Sequence, residues 1–133
     1  MSCKSAIFSA METPVGVAVD GIIPLGSLIR RYGCDIELNG NAVNLLSAGY
    51  YDVDASVTAA PIADGTVTVK LRQNGVDVPG ATASAAASAG VPVNLCLPVL
   101  VRQVCCAAGS ALTLVLSGAA ATVDNVALRV QRV

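Results

Sequence analysis

The sequence predicts an all-β protein, an antiparallel sandwich or jelly roll, with the 133 residues forming one domain, residues 1–133. Three observations support this fold class. Apolar and polar residues alternate along several segments, which is the period of a strand with one buried face. Turn dipeptides separate these segments at short intervals, as in sandwiches and jelly rolls. No segment has the apolar spacing of an amphipathic helix.

The clearest strand is GYYDVDASVTAA, residues 49–60. One set of alternate positions is mostly apolar and consists of Tyr51, Val53, Ala55 and Val57. The other set is polar and consists of Asp52, Asp54, Ser56 and Thr58. The same alternation recurs in residues 66–73, 112–117 and 126–131. We therefore expect each of these segments to be a strand with one face in the core.

The segment ATASAAASA, residues 81–89, is the one stretch whose alanine content favours a helix. It has no large apolar residues at helical spacing, and Gly80 and Gly90 flank it. We expect a strand whose small side chains pack closely on both faces. A short helix is the alternative.

The dipeptides Asn39-Gly40 and Asn74-Gly75 are the strongest hairpin signals in the chain. A type I′ turn needs positive φ at both central residues, which Asn and Gly adopt most readily. We therefore expect both dipeptides to occupy the two central positions of tight hairpins.

The composition favours an oligomer. Apolar residues make up 54% of the chain and charged residues 13%, against about 25% charged residues in an average soluble domain. A monomer of this size has too much surface to hide so many apolar side chains behind so few charges. We expect a homo-oligomer whose small side chains let the subunits approach closely. The alternative is a monomer with an alanine-rich, adhesive surface.

Residue types and charge exclude several function classes. The chain has no histidine, so catalysis that depends on a histidine base is excluded, and we expect no enzymatic activity and no cofactor. A net charge of −1 argues against nucleic acid as a partner, and Arg30-Arg31 is too small a basic patch to bind it. Asp20, Asp35 and Glu37 are interpreted as surface charges.

No apolar run is long enough to span a bilayer, and no signal peptide is evident. We therefore expect no membrane partner, and we expect the protein to assemble in a host cytoplasm.

Several segments, in order along the chain, resemble C1q/TNF-like domains. SAIFSA, residues 5–10, looks like their opening strand, and Gly49-Tyr50-Tyr51 resembles the start of their central strand. VKLRQNG, residues 69–75, resembles the next strand with its turn, and residues 111–117 and 123–130 resemble the closing pair. VPGATASAAA is more similar to the bacterial and phage branch, which includes C-terminal domains of collagen-like spore-surface proteins. The resemblance implies a jelly roll of about ten strands, a tight homotrimer and no catalytic residues.

The five cysteines lack the paired spacing of a zinc site. A disulfide between Cys34 and either Cys105 or Cys106 is one prediction, because both sites adjoin turns, and Cys3 would then be available to link subunits. Free buried thiols are the alternative if the protein assembles in a reducing cytoplasm. The sequence does not fix the connectivity.

Asp52 and Asp54 are the candidate ligand residues. The simplest prediction is that they form cross-strand ion pairs with Lys70 and Arg72 on the following strand. The resemblance implies a second role, because in C1q/TNF-like domains one face of this strand looks toward the threefold axis, and some relatives hold calcium there. Three copies of two carboxylates would repel strongly on an axis unless an ion or protons neutralised them.

These features predict a non-enzymatic structural protein, a trimeric virion component of a bacteriophage that serves in capsid decoration, as a head fibre or in the tail. Its partners would be other virion proteins, with host-surface glycans facing the loops around Asn39-Gly40, Asn74-Gly75 and residues 119–124. The alternatives are a lectin-like or receptor-binding trimeric module and a bacterial spore- or cell-surface protein.

Overall fold

The computed structural model describes residues 4–103 and 110–133. These residues form eleven strands and no helix. The strands are β1 (Ala6–Met11), β2 (Val15–Val17), β3 (Ser27–Tyr32), β4 (Ile36–Asn39), β5 (Ala42–Leu45), β6 (Gly49–Pro61), β7 (Gly65–Gln73), β8 (Val76–Ala87), β9 (Val93–Gln103), β10 (Ser110–Gly118) and β11 (Ala121–Arg132). The all-β prediction is confirmed, with one strand more than the resemblance implies.

The strands form two antiparallel sheets. The larger sheet has the order β3-β1-β11-β6-β9, with the short β2 also paired to β11. The smaller sheet has the order β4-β5-β10-β7-β8. The consecutive strands β6 and β7 therefore lie in different sheets, and the chain crosses from one layer to the other between them.

The core lies between the two sheets and is filled by alternate residues of their strands. On β6, the predicted apolar face is buried, with Tyr51, Val53, Ala55 and Val57 no more than 2% exposed. Leu71 on β7, Leu114 on β10 and Leu128 on β11 face the same core. Burial of these side chains at about 25 cal/mol per Å² of apolar surface is the main force that holds the layers together.

The two hairpin dipeptides have different outcomes. Asn74 and Gly75 have φ of 53° and 80° and occupy both central positions of the β7–β8 turn, as predicted. In the β4–β5 hairpin, however, Asn39 pairs with Ala42 and is still part of the strand. The turn there has Gly40 first, at φ 61°, which is the pattern of a type II′ turn rather than type I′.

The alanine-rich segment is part of the strand β8, so the helix alternative is wrong. The expectation that both of its faces are packed is also wrong within one protomer. Ala83 and Ala85 pack against the core, whereas Thr82, Ser84 and Ala86 are exposed. The reason is that a two-layer sandwich has one interior, so the face of β8 that points away from the larger sheet is not covered by any described part of the chain.

Candidate assembly surface

The larger sheet turns one side to the core and the other side to the outside. The outward-pointing side chains of β3, β1, β11, β6 and β9 are named here the outer face. Among them, Leu100 is 61% exposed and Tyr50 is 51% exposed, although both are large apolar or aromatic side chains. These two side chains are diagonal neighbours across the β6–β9 pair, and exposed apolar side chains that adjoin one another are a feature of interaction sites on soluble proteins.

Strand register places the outer-face residues in rows across the sheet. One row consists of Phe8, Arg129, Asp54 and Pro98. The next row has only small side chains and consists of Ala10, Ala127, Ser56 and Cys96. Between these rows lies a shallow, open depression of about 270 Å³, lined by Phe8, Asp54, Cys96 and Arg129 among others.

Asp52 and Asp54 share one cation, which is Arg129 on the adjacent strand β11. The Nη2 atom of Arg129 lies 3.1 Å from Oδ2 of Asp54 and 3.6 Å from Oδ2 of Asp52. All three side chains are about half exposed, so their mutual attraction is screened by solvent. Among the described residues, Arg129 is the one cation that forms an ion pair with these two carboxylates.

The predicted pairing of these aspartates with Lys70 and Arg72 is wrong. Both cations instead contact Asp77 across the β7–β8 pair, with Arg72 Nε 2.7 Å from Oδ1 and Lys70 Nζ 3.8 Å from Oδ2. The reason is topological, because β7 belongs to the other sheet and β6 has β11 and β9 as its neighbours. Alternation could have placed Arg129 on a polar face, but it does not reveal which strands are adjacent.

The axial metal site stays a prediction, because it depends on three copies meeting at Asp52 and Asp54. In residues 4–103 and 110–133, no three acidic or cysteine side chains come together in a way that could hold a metal. The bound ion was expected to neutralise the negative charge of these aspartates. The guanidinium of Arg129 provides one of the positive charges needed for this.

The predicted disulfide also stays a prediction, because Cys3, Cys105 and Cys106 lie outside the described residues. Cys34 is exposed, and its thiol is 3.8 Å from Oδ1 of Asp35. Cys96 is exposed on the outer face and donates to Oδ1 of Asn94 at 3.1 Å.

A second polar cluster lies at the end of the sandwich where β11 finishes. Asp35 is 4% exposed there, which makes its interpretation as a surface charge wrong, whereas Asp20 and Glu37 are exposed as expected. Its carboxylate accepts hydrogen bonds from Ser47 Oγ at 2.6 Å and from Arg132 Nη1 at 2.6 Å. The hydrogen bond from Ser47 and the charge of Arg132 hold the pKa of Asp35 below its ordinary value, against the opposing effect of burial.

The same cluster extends to the start of the chain and to β6. Ser5 Oγ donates to Asp35 Oδ2 at 3.3 Å and accepts from the Asp35 amide at 3.1 Å. Tyr51 donates its hydroxyl to the carbonyl of Ser47 at 2.7 Å, and burial raises the pKa of this phenol. The cluster is hydrogen-bonded throughout, which is the pattern of a structural clamp.

The three loops predicted to face a glycan do not form one site. The turn at Asn74 follows the end of β7, whereas Gly118 pairs with Val67 near its start, so these two loops lie at opposite ends of the sheet. Much of residues 119–124 is not loop, since β11 begins at Ala121 and Val123 is buried in the core. Among the described residues there is also no helix long and apolar enough to cross a membrane.

Comparison with known proteins identifies the fold. Murine APRIL superimposes with a TM-score of 0.73 at 11% identity, over 98% of this chain and 100% of that one. The globular domain of zebrafish complement 1qA gives a TM-score of 0.69 at 8% identity, over 95% and 94%. Vertex protein P5 of phage PRD1 gives 0.67 at 10% identity, over 97% and 96%. No protein-family model matches the sequence, and the curated proteins yield no match.

These similarities confirm the resemblance as one of fold. The chain has the C1q/TNF-like jelly roll, which occurs in the animal proteins and in the phage vertex protein alike. At identities this low, they establish architecture alone.

Proposed function

We propose that this chain is a non-enzymatic structural protein that forms a homotrimer and is a component of a bacteriophage virion, in capsid decoration, in a head fibre or in the tail. The observation that carries this proposal is the outer face. It combines exposed apolar side chains, a depression and an ion-pair group, and these features fit an interface between subunits better than a catalytic site.

The arrangement of the acidic residues supports a structural role. Asp52 and Asp54 point the same way from one strand and share the guanidinium of Arg129. Paired carboxylates that hydrolyse a bond stand on opposite sides of the substrate and have different environments. Asp35 is enclosed by its hydrogen-bond donors and has no access to a substrate.

The fold supports the assignment to a virion. A trimeric jelly roll matches the symmetry of threefold and quasi-threefold positions on a capsid lattice, and the vertex protein of PRD1 shows that a phage uses this fold. The partners in this proposal are other virion proteins, with host-surface glycans as a secondary partner.

The trimer is tested by multi-angle light scattering on the purified chain at micromolar concentration. We expect a mass three times the 13.3 kDa of one chain. A single species of 13.3 kDa would remove the assembly on which the proposal depends.

The location is tested with an antibody against the purified chain in a lysate of the source culture. We expect the antigen to sediment with nuclease-resistant particles and to be visible on them by immunogold electron microscopy. Sedimentation with spore coats or cell envelopes would instead support the bacterial surface protein. Selective and reproducible binding on a glycan array would support the lectin-like module.

A further inference from the structure

Two of the six asparagines in the chain are followed by glycine, in Asn39-Gly40 and Asn74-Gly75. Asparagine is chemically labile because the amide nitrogen of the next residue can attack its side-chain carbon Cγ. Glycine hinders this attack least, since it has no Cβ. The other four asparagines precede alanine, leucine or valine. The two Asn-Gly pairs are therefore the candidate sites of this reaction.

The folded chain holds the side chain of Asn74 in place. Its Oδ1 accepts a hydrogen bond from the main-chain amide of Ala111 at 3.0 Å, and its Nδ2 lies 3.5 Å from Oγ of Ser110. The main-chain amide of Asn74 also donates to the carbonyl of Ala111 at 2.9 Å. Turning Cγ of Asn74 toward the nitrogen of Gly75 moves both side-chain polar atoms, so their hydrogen bonds must break first.

Asn39 has the same following residue but a different environment. Its side chain is exposed and forms no hydrogen bond with any described residue. The space beside Gly40 is open, since a Cβ there would meet nothing within 4 Å. Asn39 is also the last residue of β4, which is an edge strand of the smaller sheet. The end of an edge strand next to a turn can open locally without disturbing the rest of the sheet.

We propose that Asn39 is a site of spontaneous deamidation in the folded protein and that Asn74 is protected. The nitrogen of Gly40 bonds to Cγ of Asn39, the bond from Cγ to Nδ2 breaks, and ammonia leaves with the proton of the Gly40 amide. One water molecule then opens the succinimide ring and leaves aspartate or isoaspartate at position 39. The reaction needs no reactant other than water, and the inference does not depend on the proposed homotrimer.

The product differs from the original chain in charge and in main-chain length. A carboxylate replaces a neutral amide on the face of β4 that also carries the exposed Glu37, two residues earlier. Isoaspartate in addition inserts one methylene group into the main chain beside the Asn39–Ala42 pair. The register of a hairpin depends on the length of its turn, so the isoaspartate form must rearrange this hairpin.

The test is incubation of the folded full chain in mildly alkaline water enriched in heavy oxygen, followed by peptide mass spectrometry. The heavy oxygen enters the new carboxylate, which distinguishes deamidation during the incubation from deamidation during digestion. We expect Asn39 to lose ammonia at least about five-fold faster than Asn74, which is the effect of one hydrogen bond that must first break. Equal rates in the folded chain, or a faster loss at Asn74, would overturn the proposal.

The matched control is the same chain unfolded in urea. Both sites are then Asn-Gly in an open chain, so we expect their rates to become similar, with Asn74 accelerated far more than Asn39. A difference between the two sites that persists unchanged in urea would show that neighbouring sequence, rather than the hydrogen bonds of Asn74, controls the reaction. It would overturn the protective role of the fold.

A second measurement follows the charge of the intact protein by anion-exchange chromatography during the same incubation. We expect the wild type to accumulate a form with one more negative charge. Asn39→Gln should accumulate far less of it, because a glutamine side chain is one carbon too long to close the five-membered ring. Asn41→Gln is the control in the same turn, since Asn41 precedes Ala42, and it should behave like the wild type. Equal accumulation in Asn39→Gln and the wild type would overturn the assignment to Asn39.

Discussion

Asp35 shows how a single buried charge is stabilised in this fold. Its partners come from distant parts of the chain, with Ser5 thirty residues before it, Ser47 twelve after it and Arg132 ninety-seven after it. The cluster therefore fastens the residue just before β1, the β3–β4 and β5–β6 connections and the last strand to one another. Desolvation of Asp35 and Arg132 is compensated only while every partner is present.

We predict that Asp35→Asn destabilises the protein by about 3 kcal/mol, because it leaves the largely buried guanidinium of Arg132 without its carboxylate. Urea unfolding followed by circular dichroism measures this loss. Asp77→Asn is the control, since that carboxylate also pairs with an arginine but is half exposed, and its loss should be much smaller. Equal effects of the two variants would contradict the clamp.

The same carboxylate predicts a dependence on acid. Its pKa is lowered from 3.8 in the folded chain, so the unfolded chain binds the proton more readily. The stability contributed by Asp35 is therefore complete well above 3.8 and is lost as the pH falls through 3.8 toward the lower folded value. Unfolding free energies measured from pH 7 downward should fall less steeply for Asp35→Asn than for the wild type below about pH 4. Parallel curves would show that another group controls the acid response.

The burial of Asp35 could not be predicted from the sequence. Asp35 stands between Cys34 and Ile36 with no pattern that distinguishes it from the exposed Asp20. The side chains that hold it are adjacent only in the folded chain. Local alternation describes the two faces of a strand, whereas this carboxylate lies in a connection just before one.

At the scale of elements, Gly118 shows that the end of a strand can require a residue without a side chain. It ends β10 with φ of 83°, and a Cβ at this position would overlap the carbonyl oxygen of Thr66 on β7. Gly75 has a similar φ of 80° in its hairpin, but a Cβ there would meet nothing within 4 Å. A side chain at Gly75 would therefore cause backbone strain alone, whereas a side chain at Gly118 would cause both backbone strain and steric overlap.

We predict that Gly75→Ala costs about 1 kcal/mol of unfolding free energy, the usual cost of positive φ for an L-residue. Gly118→Ala should cost more than Gly75→Ala, because the overlap with Thr66 also forces the β10–β7 pair apart. Thermal unfolding of the two variants and the wild type measures the difference. If Gly75→Ala proved the more damaging change, the contact at Gly118 would have no energetic role.

The positions of the strands could be predicted from the sequence far better than the pairing of each strand with its neighbours in the sheet. Alternation of Val, Leu and Thr identified β6, β7, β10 and β11, because a half-buried strand must repeat every two residues. The partner of β6 could not be predicted in the same way. Cross-strand pairing depends on which sheet the chain enters after a turn, and this is why Arg129 was missed as the partner of Asp52 and Asp54.

At the scale of the whole molecule, the excess of apolar residues has a structural explanation. Thirty hydrophobic side chains of residues 4–103 and 110–133 are buried, but several large ones remain on the outer face and on β3. A sandwich has only one interior, so apolar residues beyond its capacity must face outward. Composition predicted this surplus, and only the three-dimensional structure shows that part of it, including Tyr50 and Leu100, lies on the larger sheet.

The thiol of Cys96 provides a test of whether this surface is covered in the assembled molecule. It is exposed in one protomer and lines the depression between Phe8 and Arg129. We predict that iodoacetamide modifies Cys96 slowly in the concentrated trimer and much faster after dilution below the dissociation concentration. Cys34 is exposed and lies outside the outer face, so in the same reduced sample its rate should not change with dilution. Peptide mass spectrometry reads the two thiols separately, and a Cys96 that reacts equally fast in the trimer would show that its neighbours leave the depression open.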